Sequence, residues 1–195
     1  MISCGDVGSE MLDKDRDMRR MKGFTLIELM IVVVVIIILG AVVVPALMKL
    51  IRHSKTTEAT MNIRKLFDAS VSYYGSEHSD ATGTILAKQF PPSAGPSPGA
   101  KGSCCGQPGD KCPPSPTNFQ GDTWSALNFA LDEDPFYYVY QYVSSGTDTG
   151  ASFRAYAFGD LDCDSVYSTY MRAGKVLGDH SVSGGSGLFI KDDIE

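Results

Sequence analysis

The hydropathy pattern of this chain changes twice. Between Leu29 and Met48 no charged residue interrupts the sequence, and residues 31–39 are apolar on every face a helix would present. A surface helix of a soluble protein shows a polar side, and a buried strand ends after roughly 4–8 residues, so neither description fits. About 20 apolar residues, each rising about 1.5 Å, cross the ~30 Å hydrocarbon layer of a bilayer, where a helix satisfies its own backbone hydrogen bonds. Residues 24–50 are therefore predicted to form a membrane helix. From residue 51 polar positions return at helical spacing: Ala59, Ile63, Leu66, Phe67, Ser70 and Tyr74 share one face, and Arg64, Lys65 and Asp68 take the opposite one. The helix should continue, pack its second half on a folded head, and end near Gly75.

Residues 90–121 carry Pro91, Pro92, Pro96, Pro98, Pro108, Pro113, Pro114 and Pro116 among glycines and serines, which predicts an irregular loop with no regular ladder. Residues 123–131 predict a short helix with Trp124, Leu127 and Leu131 on one face. Strands are expected over 136–143, 153–158 and 166–172, with a further short one over 188–191, separated by Gly, Ser and Asp turns. Short connections make antiparallel neighbours, so the expected class is α+β: one long N-terminal helix, transmembrane then amphipathic, packed on a small antiparallel sheet. The expected organisation is a leader over 1–23, a membrane helix over 24–50, its amphipathic half over 51–75, a Pro/Gly/Cys-rich connection over 76–135, and the sheet over 136–195. The Tyr-rich run over 136–140 reads as core packing, ahead of an aromatic binding or electron-conducting stripe.

With 43% hydrophobic and 21% charged residues in 195, the chain has enough material for one domain beside the membrane segment. Lys14, Arg16, Arg19, Arg20 and Lys22 precede the apolar stretch, while Lys49, Arg52 and Lys55 follow it, a balance that leans towards the N-terminus inside. The helical part after the leader is net basic and residues 66–195 are acidic, which argues against a general nucleic-acid binder.

The cysteines are Cys4, Cys104, Cys105, Cys112 and Cys163. Beyond the leader four remain, an even number that predicts two disulfides in an exported, loop-rich domain. A bridge between adjacent residues strains the backbone, so Cys104 and Cys105 should take different partners, Cys112 and Cys163 in either order. A zinc-type cluster fits less well, because there is no second two-residue cysteine spacing and no neighbouring His. Asp160, Asp162 and Asp164 alternate like the first ligands of a calcium loop, yet Ser165 stands where that loop needs Gly and Met171 where it needs a bidentate Glu. The preferred reading is a solvated turn that holds Cys163, with no cofactor expected and calcium the one metal candidate. His53, His78 and His180 are isolated, and no nucleophile-base constellation points to an enzyme.

A secretory signal is the ordinary reading of a basic flank before an apolar stretch, here with cleavage after Val44-Pro45-Ala46. The stretch exceeds the roughly 7–15 residues of a signal core, and Glu28 lies just inside it, where a carboxylate costs several kcal/mol. Lys22-Gly23-Phe24-Thr25-Leu26-Ile27-Glu28-Leu29-Met30-Ile31 resembles instead the class III signal of type IV prepilins and pseudopilins. The resemblance implies that a membrane aspartyl peptidase cuts the Gly23-Phe24 bond and N-methylates Phe24. It further implies that Glu28 neutralises the amine of a neighbouring subunit, and that Pro45 kinks the helix. Physical logic agrees, since cleavage creates a positive amine one turn from Glu28, and a paired charge is less costly than a lone one in an apolar setting. The leader is longer and more charged than many; a start at Met18 would leave a more typical one. Cys4 follows no apolar stretch and reads as incidental rather than as a lipid anchor.

The implied fold is a pilin-like ladle with the helix as handle. The implied function is a structural subunit of a type IV pilus serving adhesion, surface motility or DNA uptake. Such a subunit sits in the inner membrane as a precursor and then joins an extracellular pilus. Its partners would be further copies of itself, the prepilin peptidase and the inner-membrane assembly machinery. The alternatives are a pseudopilin of type II secretion, in a periplasmic filament, and a minor priming or adhesive pilin. A membrane-anchored enzyme would need a catalytic constellation within residues 75–195, which the sequence does not show.

Overall fold

The computed structural model describes residues 23–185 and 187–193. The expectations for the leader up to Lys22, with Met18 and Cys4, fall outside the described residues. The chain divides into two compact units, at Pro45 and Ala46, and helix α1 (Leu26–Gly75) contributes to both.

In the first unit α1 forms from a run of Val and Ile, residues that intrinsically prefer strands. Its apolar window has no buried residue, and the helix is long and apolar enough to cross a membrane by length and composition. In hydrocarbon, backbone groups must be paired within the segment, and that requirement outweighs the small per-residue preference. The helix runs on through Pro45 without interruption.

In the second unit the polar–apolar alternation of α1 decides which face is covered. Thr56, Ala59, Ile63, Leu66, Phe67, Ser70 and Tyr74 are buried, the stripe predicted from the sequence with one further turn at its start. Arg64, Lys65 and Asp68 stay exposed on the other side. After α1 come β1 (Ala94–Ser97), α2 (Asp122–Ala126), β2 (Val139–Ser145), β3 (Ser152–Gly159), β4 (Ser168–Val176), β5 (Val182–Gly184) and β6 (Phe189–Lys191). The sheet has six strands in the order β1-β2-β3-β4-β5, all pairs antiparallel, and β6 pairs with β4 beside β5. The register Tyr142↔Ala155↔Arg172 carries one row across its centre.

Side chains on the inner face are large and aromatic. Tyr138, Tyr140, Tyr142, Phe153 and Tyr170 are buried there, with Phe67 of α1 and Phe153 at a ring distance of 5.5 Å. Room for these rings comes from two glycines opposite each other, Gly174 and Gly184: a Cβ on the first would collide with Phe153 and one on the second with Phe67. Tyr137 is only half-buried, and the rest of the tyrosine run packs the core.

Several boundaries differ from the sequence-based expectation, each for a local reason. β2 begins at Val139 rather than Phe136, because the Tyr137 and Tyr138 N–H groups are spent on the Glu58 carboxylate. β4 begins at Ser168 rather than Val166, whose N–H instead donates to the Asp164 carboxylate in the preceding turn at 2.7 Å. Helix α2 ends at Ala126, not Leu131. Asn128 takes a left-handed φ of 44° there, and Leu131 is only half-buried while Trp124 and Leu127 are fully covered. The Pro-rich segment does hold a short ladder: β1 pairs with β2 through Ala94↔Tyr142 and Ser97↔Tyr140, across a register shift. It is an edge strand, where a proline without an N–H is tolerated.

Candidate functional site

Two neighbourhoods carry polar chemistry that packing alone does not require. The first is the start of α1. Gly23, Phe24 and Thr25 precede the helix, Phe24 is 79% exposed, and nothing lies within 4 Å of where a Cβ on Gly23 would stand. Thr25 and Glu28 cap the helix reciprocally. The Thr25 hydroxyl and backbone N–H donate to Glu28 Oε2 at 3.0 and 3.2 Å, and the Glu28 N–H donates to Thr25 Oγ1 at 3.2 Å. This is a capping box, which satisfies two otherwise orphaned backbone donors. The sequence reading singled out Glu28 as a carboxylate in need of a partner but missed Thr25, although the Thr-x-x-Glu spacing before an apolar run announces it.

The second neighbourhood is the join between the sheet and the amphipathic half of α1. Glu58 is its centre and was missed, since one Glu on a helix reads as a solvent-facing residue. Its carboxylate accepts the Tyr137 N–H at 2.9 Å, the Tyr138 N–H at 3.3 Å and the Tyr140 hydroxyl at 3.1 Å. Burial pushes the Glu58 carboxyl above its ordinary range, and these hydrogen bonds and the Lys111 charge only partly offset it. Burial also raises the Tyr140 phenol well above its usual value, so it stays a donor. Asn62 donates to the Tyr140 hydroxyl at 2.8 Å, and Ser70 shares a 2.9 Å hydrogen bond with the Tyr142 hydroxyl. Three turns of α1 are thus tied by polar groups to the inner face of β2.

The cysteines lie at disulfide distance in the pairs Cys104–Cys112 and Cys105–Cys163, with Cα separations of 4.4 and 5.6 Å. This resolves the order that spacing left open. The first bridge closes a short loop, whereas the second spans 58 positions and ties the Pro-rich segment to the β3–β4 turn. Chain entropy makes the longer closure the more stabilising one.

That turn contains Asp160, Asp162 and Asp164, whose carboxylates approach one another within 4.8 Å. Each has an occupation. Asp160 is buried and accepts the N–H groups of Asp164 and Ser165, both at 3.1 Å. Asp164 accepts the Val166 N–H, and Asp162 pairs with Arg52 of α1 at 2.9 Å. Cys163 and Ser165 sit in the left-handed region at φ 60° and 73°, and the Asp160 carboxylate is what holds that backbone.

The prokaryotic N-terminal methylation motif matches residues 18–44. A stretch of 55 residues, 28% of this chain, is 42% identical to the type IV major pilin protein PilA of Myxococcus xanthus strain DK1622, and the match covers 25% of that protein's length. No solved structure matches. The N-terminal segment therefore carries the methylation motif of prepilins and resembles a type IV major pilin over that stretch.

Proposed function

We propose that this chain is the precursor of a type IV pilus subunit, cut between Gly23 and Phe24, N-methylated on Phe24, and polymerised through the apolar half of α1. The observation that carries the reading is a methylation motif running straight into a membrane-length helix whose apolar side chains are covered by nothing among the described residues. Lipid covers them in the precursor, and neighbouring copies cover them in the filament. Glu28 has a partner at each stage: Thr25 caps it within the chain, and the amine freed at Phe24 of a neighbour supplies the opposite charge after cleavage. The inner-membrane assembly machinery and the prepilin peptidase are the partners this route needs, and the extracellular pilus is its end point. We read the Asp160–Asp164 turn as a structural brace of the head, because Arg52 and backbone N–H groups already occupy its carboxylates.

The test is processing in cells. Gly23→Ala should leave the full-length precursor in the membrane fraction, whereas the parent protein appears shortened to start at Phe24. Normal shortening of the variant would remove the cleavage assignment. Processed protein that stays in the envelope, with none in sheared surface filaments, would instead support a periplasmic pseudopilin.

A further inference from the structure

We propose that successive copies of the head bind one another head to tail, an acidic loop of one copy entering an arginine cleft of the next. The inference rests on the filament reading above and adds the head surfaces that would set its register. The cleft has a volume of about 380 Å³ and lies between α1, β4 and the β5–β6 connection. Arg64 and Arg172 line it together with Thr60 and Ile63, and Gly184, Gly185, Gly187 and Leu188 form its far wall. The Arg172 guanidinium is stacked 3.9 Å from the centre of the Phe67 ring, which fixes its direction. Among the described residues no carboxylate lies within 4.0 Å of either guanidinium. Two planar guanidiniums lining one cleft, with no counter-charge paired to them among the described residues, suit carboxylates, which each can bind through two hydrogen bonds.

The complementary feature is the run Asp132-Glu133-Asp134. All three side chains are exposed, and among the described residues none has an ion pair or a side-chain hydrogen bond. The run is held at both ends, by half-buried Leu131 and buried Phe136, with Pro135 restricting the approach to β2. Such a loop loses little freedom on docking.

Placement decides what kind of contact this makes. The acidic loop borders a groove with Glu58, Asn62 and Lys65, while the arginine cleft borders Thr60, Ile63 and Arg64. At 3.6 residues per turn those two sets fall on opposite flanks of α1. One molecule therefore cannot satisfy its own cleft with its own loop across the helix, and two copies joined this way leave one cleft and one loop free. A heterologous contact of that kind continues into an open helical array unless its rotation happens to close a ring.

The experiment is charge reversal in the full chain expressed in cells, read as sheared filament per amount of processed subunit. Arg64→Glu touches no core ring and should lower that ratio at least ~10-fold, as should Asp132→Lys with Asp134→Lys, because like charges then meet at the contact. Combining the two reversals should bring the yield back to within about threefold of the parent. Unchanged thermal unfolding of the detergent-solubilised variants excludes misfolding as the cause of any loss. Parental yield from either reversed set, or a combined variant no better than each alone, would overturn the contact while leaving the filament reading intact. A cleft that binds inorganic phosphate in titration calorimetry while the reversals assemble normally would assign it to a small anion instead. A parent protein that forms no filament would overturn both proposals.

Discussion

The two halves of α1 obey opposite rules within one helix. Residues 29–48 carry no charge and, among the described residues, none of their side chains is buried, while residues 51–75 keep a polar side and bury a single stripe under the sheet. The first half takes its stability from whatever surrounds it, and the carboxylate at its start, Glu28, is handled locally by Thr25. The second half takes its stability from the head, and its half-buried carboxylate, Glu58, binds groups far away in sequence. The comparison teaches how one element can be both an insertion segment and a structural beam: the carboxylates differ less in kind than in where their donors come from.

Changes in the head should therefore move head stability and leave membrane anchoring alone. The largest expected effect is loss of the long bridge: Cys105→Ser with Cys163→Ser should cost about 4 kcal/mol, seen as a lowered melting temperature of the detergent-solubilised protein. An unchanged melting curve would show that the Pro-rich segment needs no such closure. Next comes Glu58→Ala, which strands two N–H groups and a buried hydroxyl and should cost about 3 kcal/mol. Glu58→Gln keeps an acceptor in place and should cost less.

The same residue sets a pH dependence of definite sign. Its folded pKa is raised by burial, so its contribution is fully present below the ordinary carboxylate range and is lost as pH rises through the raised value. The stability of the parent relative to Glu58→Gln should accordingly fall across that window. Asp80 and Asp179, whose carboxyls are held low by local hydrogen bonds, are common to both proteins and drop out of the difference. A difference that stays flat with pH would mean the carboxyl is not desolvated.

The smallest expected effect lies at the other end of the helix. Thr25→Ala should fray the first turn by about 1 kcal/mol, read as faster amide exchange at residues 26–28, with no change in the melting of the head. If head melting moved as well, the division between the two halves would not hold.

Those two halves differ in legibility too. The buried stripe of α1 could be read from spacing, because a helix against a sheet covers residues at a fixed period, and β3 showed itself by alternation. Pairing of Cys104 and Cys105 could not be read, since adjacent residues offer spacing no way to rank their partners. Glu58 was invisible for a related reason: its donors stand 79 and more positions away, and no local pattern marks a carboxylate that will be covered. Strand β1 was masked by Pro96 and the prolines around it, which an edge position forgives. Thr25 was legible and overlooked, its spacing to Glu28 being the plain signature of a capped helix start.

The central claim is that residues 24–50 become the polymerising end of a processed subunit, and intact mass with N-terminal sequencing of protein sheared from the cell surface tests it most directly. The account predicts a chain that starts at Phe24 and carries one added methyl group on its amine. A surface protein with the Gly23-Phe24 bond intact, or cut instead near Ala46, would contradict it.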